Sequence, residues 1–106
     1  MRFDSSTTPV VSVVLPVRDA VGTIGRAVDS ILNQSLRDLE LIVVDDGSVD
    51  GSAEVLRSID DGRLRVFACS AQGVAAAMNA GVREARAPLI ARMDADDFAY
   101  PFRLER

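Results

Sequence analysis

Val10-Val11-Ser12-Val13-Val14-Leu15 is short, β-branched and almost wholly apolar. Such a run suits a strand buried on both faces, as in a parallel sheet covered by crossover helices. The rest of the chain alternates in the same way. Ile24, Ala27, Val28, Ile31 and Leu32 form one apolar stripe at helical spacing, predicting a helix from about Val21 to Gln34. Leu39-Glu40-Leu41-Ile42-Val43-Val44 is a second buried strand. Ala53, Val55, Leu56 and Ile59 mark a second helix, stopped by Asp60-Asp61-Gly62. Leu64 to Cys69 alternates more and is therefore placed nearer a sheet edge. Gly73 opens a small-residue helix, Val74 to Ala85, with Val74, Met78, Val82 and Ala85 along one side. Leu89 to Met93 is a fourth strand. The order β-α-β-α-β-α-β with short, right-handed connections predicts an α/β fold: a mostly parallel four-stranded sheet flanked by helices on both faces.

Local chemistry sets the expected boundaries. Pro16 ends the first strand, because it has no N–H for the ladder. Ser48, Asp50 and Ser52 offer cap oxygens for the second helix. Residues 1–9 are a polar, flexible lead-in without the apolar stretch of a secretory signal, and 10–106 form one domain. No apolar run reaches the roughly 18 residues of a membrane span.

Absences narrow the chemistry. The 106 residues contain no His, Trp or Lys, so all 12 basic residues are Arg. Without His there is no His-based triad or His general base, and without Lys no P-loop or Schiff-base lysine. The single cysteine, Cys69, excludes an internal disulfide and a zinc cluster. It reads as a small buried hydrophobe and suits a reducing, cytoplasmic setting. A net charge of −4 argues against a nucleic-acid partner.

The acids fall in a pattern. Asp19 follows the first strand, Asp45 and Asp46 end the second, and Asp94, Asp96 and Asp97 end the fourth. Ligands of open α/β sheets bind beyond the carboxyl ends of the strands, so these clusters converge on one rim. Three carboxylates within four positions call for an offsetting positive group, an arginine or a hard divalent cation such as Mg²⁺ or Mn²⁺.

The stretches Val11-Ser12-Val13-Val14-Leu15-Pro16-Val17, Ser30-Ile31-Leu32-Asn33-Gln34, Leu41 to Ser52, Gly73 to Gly81, Asp94-Ala95-Asp96-Asp97, Pro101 and Arg103-Leu104-Glu105 together resemble, in order and spacing, the N-terminal half of family-2 glycosyltransferases. The resemblance implies a Rossmann-like GT-A half that binds a nucleotide-diphosphate sugar, a UDP-sugar first among them. It also implies Mg²⁺ or Mn²⁺ and inverting transfer to an acceptor hydroxyl on a glycan or lipid-linked sugar. On the matching positions, Pro16, Val17 and Asp19 would line the nucleotide pocket. Asp45 and Asp46 would hydrogen-bond the base or ribose, and Asn79 would contact the donor. Asp94 and Asp96 would form the D-x-D motif, Asp96 on the metal and Asp94 beside it. Asp97 is read as a loop or cap residue.

Three positions depart from the family pattern: Arg18 where an aromatic is frequent, Asp19 where Asn is, and Met78 where a basic residue is. Met78 reads as core packing. The general base expected of the family falls in a second half that follows the D-x-D, so the 106 residues read as an inactive donor-binding half. Uncovered apolar surface would favour self-association, and the whole protein could be membrane-associated. A non-catalytic nucleotide-binding or assembly module is the alternative. A receiver domain would need a lysine, and a dinucleotide-binding domain a G-x-G-x-x-G after strand one, and neither is present.

Overall fold

The first strand has a neighbour on each side. β1 (Val11–Val17) runs parallel to β2 (Leu39–Asp46), in register from Val11 opposite Leu39 to Val17 opposite Asp45. On its other side it pairs in parallel with β4 (Leu89–Arg92), from Val11 opposite Leu89 to Val14 opposite Arg92. β3 (Leu64–Cys69) pairs with the outer side of β2, giving the order β3-β2-β1-β4. The computed structural model describes residues 9–33 and 38–93. Within them the sheet is all parallel, and β3 lies at an edge as its alternation predicts.

Every residue of β1 and β2 is buried. Alternate side chains serve opposite layers, as strand periodicity requires. Val11, Val13, Leu15 and Val17 join Leu39, Leu41 and Val43 in one core. α1 (Ile24–Leu32) covers it with all five residues of its predicted stripe. α2 (Ser52–Arg57) adds Leu56 to the same core. Each fully buried aliphatic side chain here contributes about 2 kcal/mol. The opposite layer is thinner: Ile42 and Val44 meet Ala77 of α3 (Val74–Glu84).

Three expectations change. β1 continues through Pro16 to Val17 instead of stopping at Leu15. Val14 O accepts the Met93 N–H at 3.1 Å, so the even-numbered residues of β1 direct their backbone groups toward β4. The missing N–H of Pro16 therefore falls on that side, beyond the last registered pair, and leaves the β2 ladder intact. α1 starts at Ile24, three residues later than expected, because a turn precedes it in which the Thr23 and Ile24 N–H groups both bond Ala20 O.

The third change concerns α3. It turns Ala77 and Gly81 to the sheet, while Val74 and Val82 are exposed and Met78 is half-buried. A Cβ on Gly81 would lie 2.4 Å from Val14 Cγ1 and 3.2 Å from Val44 Cγ2. Only the smallest side chains fit between the helix and the β-branched sheet surface, so size decides the inward face and hydrophobicity does not.

At the amino end of the sheet, Glu40 is fully buried and bonded throughout. It accepts from Ser12 Oγ at 2.5 Å, Arg86 N at 2.7 Å, Arg86 Nε at 3.0 Å and Arg65 Nη1 at 3.0 Å. Burial would raise its pKa. The bonds from Ser12, the Arg86 backbone and the two guanidinium groups together hold it below the ordinary carboxylate value. This network ties the segment after α3 to β1 and β2 and so fixes the helix whose other end borders the site.

Candidate functional site

At the carboxyl ends of β1 and β2 a cleft of about 310 Å³ opens against the N-terminus of α3. That places it at the lower end of ligand pockets, roughly 300–1,000 Å³. Pro16, Val17 and Arg18 form one wall, Asp46 the floor, and Gly73, Val74 and Ala77 the facing wall. Gly73 has φ 103°, a conformation open to glycine, and it starts α3 at the cleft edge.

Asp46 organises the floor. Its Oδ1 accepts the Gln72 N–H and its Oδ2 the Gly73 N–H, both at 2.8 Å, and the Cys69 thiol donates to Oδ1 at 3.2 Å. The Gln72 bond leads in lowering its pKa. Partial burial opposes it, and Cys69, Gly73 and the nearby Arg18 charge reinforce it. Burial, and then the same carboxylate, push the Cys69 thiol up. Gly47, at φ 78°, lets the turn after β2 pass Ala71, whose N would lie 3.0 Å from a Cβ there.

Asp45 points to the opposite face of the sheet, where its Oδ1 accepts the Ser48 N–H at 3.1 Å. Asp19 is exposed with φ 52°, and its Oδ1 accepts the Val49 N–H at 2.8 Å. Asp tolerates this left-handed conformation better than most residues. Ser48, Asp50 and Ser52, expected to cap α2, direct oxygens to the loop after β1. Asp50 also accepts from Ser52 N and Oγ, and its pKa is lowered, by the Ser52 side chain first.

The predicted residues thus divide. Pro16, Val17 and Asp46 meet at the cleft. Asp19, in the loop after β1, and Asp45, in β2 on the opposite face of the sheet, have carboxylates bonded to backbone, and Asn79 is exposed on α3 outside the cleft lining. Asp94, Asp96 and Asp97 lie outside the described residues. Among the described residues no three His, Cys, Asp or Glu side chains gather as a metal site. The facing wall was the part not assigned from sequence. Its signal was the glycine at position 73, directly before a helix and after a strand.

A glycosyltransferase of Haemophilus influenzae is 40% identical over 101 residues, which cover 92% of this chain and 40% of that protein. Among solved structures, a mannosyltransferase of Pyrobaculum calidifontis in complex with GDP-Man and Mn²⁺ is 29% identical. It has a TM-score of 0.76 and covers 88% of this chain and 29% of its own. S. aureus TarS in complex with UDP-GlcNAc shares the fold at a TM-score of 0.84 and 22% identity, over 91% of this chain and 29% of its own. The chain spans less than half the length of each of these relatives. These neighbours are GT-A enzymes, and the four parallel strands with helices on both faces are the Rossmann-like part of that fold. Residues 12–106 match the model described as glycosyl transferase family 2, so sequence and fold agree and the chain belongs to glycosyl transferase family 2.

Proposed function

We propose that the cleft receives the nucleotide-diphosphate part of a sugar donor, and that the chain is the donor-binding part of a metal-dependent, inverting glycosyltransferase. The observation that carries this reading is the cleft itself, placed beyond the carboxyl ends of β1 and β2 with Arg18 on one wall and the start of α3 on the other. Related enzymes solved with GDP-Man and with UDP-GlcNAc support it.

The chain's own groups then have distinct tasks. Pro16 offers an apolar wall. Arg18 is suited to a phosphate or to stacking on a base through its planar guanidinium. Asp46 can hydrogen-bond the base or ribose through lone pairs left beside its backbone contacts, because each carboxylate oxygen accepts more than one donor. Asp19 and Asp45 border the nucleotide end, and Asn79 the outer side of α3.

A divalent cation fits the residue types that follow β4. Met93, the last described residue, is fixed to Val14 O beside the cleft, and the carboxylates at Asp94 and Asp96 are the hard oxygen donors that Mg²⁺ and Mn²⁺ take. Asp96, with Asp94, would hold the ion, which supplies Lewis-acid stabilisation to the departing diphosphate. The acceptor is a glycan or lipid-linked sugar, bound together with the general base by parts of the enzyme beyond these residues. The protein works in the cytoplasm, in contact with a membrane through its other segments, and this part self-associates when alone.

Calorimetry of the 106-residue chain with UDP and GDP, with and without MnCl₂, tests the assignment. Weak binding that needs the metal and is lost in Asp96→Ala is expected. Metal-independent binding unchanged by that substitution would overturn the metal assignment, and no binding of either nucleotide would overturn the donor reading.

A further inference from the structure

On the donor-cleft reading, we infer that Ser48, Asp50 and Ser52 are positioning residues for the donor site. They set the loop after β1, and with it Arg18, without touching the ligand. None of the three lines the cleft.

The geometry is a three-to-three match. Oxygens on every second residue accept three consecutive backbone N–H groups. Ser48 Oγ takes that of Asp19 at 2.8 Å, Ser52 Oγ that of Ala20 at 3.0 Å, and Asp50 Oδ2 that of Val21 at 3.0 Å. Asp19 returns a fourth bond through Oδ1 to the Val49 N–H. Ser52 is fully buried, and its hydroxyl donates to Asp50 Oδ1 at 2.6 Å while accepting from Ala20, so the acceptors are themselves held in place.

Helix capping does not account for Ser48. The N-cap position of α2 is Gly51, and no side chain caps it. On the other loop, Asp19 takes a left-handed backbone conformation directly after Arg18. A non-glycine residue stays in that region only where its surroundings over-determine it. The four bonds do so. They turn the chain immediately after the cleft wall and fix where the Arg18 side chain starts.

Two measurements on the 106-residue chain test this. The first is amide hydrogen exchange of Asp19, Ala20 and Val21 without ligand, in wild type, Ser48→Ala and Ser48→Thr. The second is UDP and GDP affinity with MnCl₂ for the same three proteins, with melting curves to confirm folding. Loss of one such hydrogen bond is expected to speed Asp19 exchange and weaken nucleotide binding roughly fivefold in Ser48→Ala. Ser48→Thr, which keeps the acceptor oxygen, recovers both. Unchanged exchange at residues 19–21 in Ser48→Ala would overturn the inference. So would faster exchange with unchanged affinity. If wild type binds neither nucleotide, the donor reading fails and takes this inference with it, a result visible before any variant is compared.

Discussion

Asp46 and Gly73, 27 residues apart in sequence, are joined by a 2.8 Å hydrogen bond from the Gly73 N–H to the Asp46 carboxylate. The bond links the end of β2 to the start of α3 and so couples the floor of the cleft to its wall. The second oxygen holds Gln72 in the same way. Asp46→Ala removes both acceptors. Faster amide exchange at Gln72 and Gly73 and a lower melting temperature are expected, with Asp46→Asn intermediate because its amide keeps one acceptor oxygen. Equal exchange in all three proteins would show that the linkage does not hold the wall.

Gly81→Ala tests the closeness of α3 to the sheet. The added methyl meets Val14 and Val44 inside ordinary contact distance. Overpacking of this kind is expected to cost about 2 kcal/mol in denaturant unfolding. A loss below about 0.5 kcal/mol, the level of an ordinary surface substitution, would mean the helix can move outward freely.

Glu40→Ala leaves Arg65 and Arg86 without their buried acceptor. Both guanidinium groups are partly exposed and can turn to water, so the loss is on the scale of charged hydrogen bonds, about 2 kcal/mol, read as a lower urea midpoint. Glu40→Gln should lose less, since its amide oxygen can still accept from the Arg86 N–H while Ser12 keeps the Ala87 N–H bonded.

Stability should fall on the acid side. Glu40, Asp46 and Asp50 all have lowered carboxyl pKa values in the folded chain. A lowered value means that the stabilisation is present above the unfolded pKa and is lost as pH falls through the folded one. Melting temperature should therefore decline as pH drops below the ordinary values of 4.5 for Glu40 and 3.8 for the two aspartates. A flat profile from pH about 6 to 3 would contradict the network's contribution.

Much of the fold was legible because period and burial agree. β1 and β2 read as doubly buried strands, and α1 places its five-residue stripe in the core as its spacing predicts. The α3 stripe misled because its apolar residues and its smallest residues lie on different sides, and the sheet accepted the small ones. The start of α1 moved because a turn closed on Ala20 O comes before the helix, and apolar spacing carries no mark of it. The site was half legible. Acidic residues after strands marked the rim, but periodicity does not tell a carboxylate that faces a ligand from one that holds a neighbouring loop. Glu40 shows the same limit: a charge inside an apolar run becomes interpretable only when Ser12, Arg65 and Arg86 are brought to it from three other parts of the chain.

Pro16 bears on how the cleft wall is built. It stands in a central strand, with its imide nitrogen turned toward β4 where the ladder would otherwise extend to the Met93 carbonyl. The proline costs β1 nothing on its other side, where Pro16 stays opposite Val44 in the β2 ladder. The residue that ends the β4 side of the ladder is thus also the first wall of the cleft, and a substitution there would change main-chain pairing and lining together.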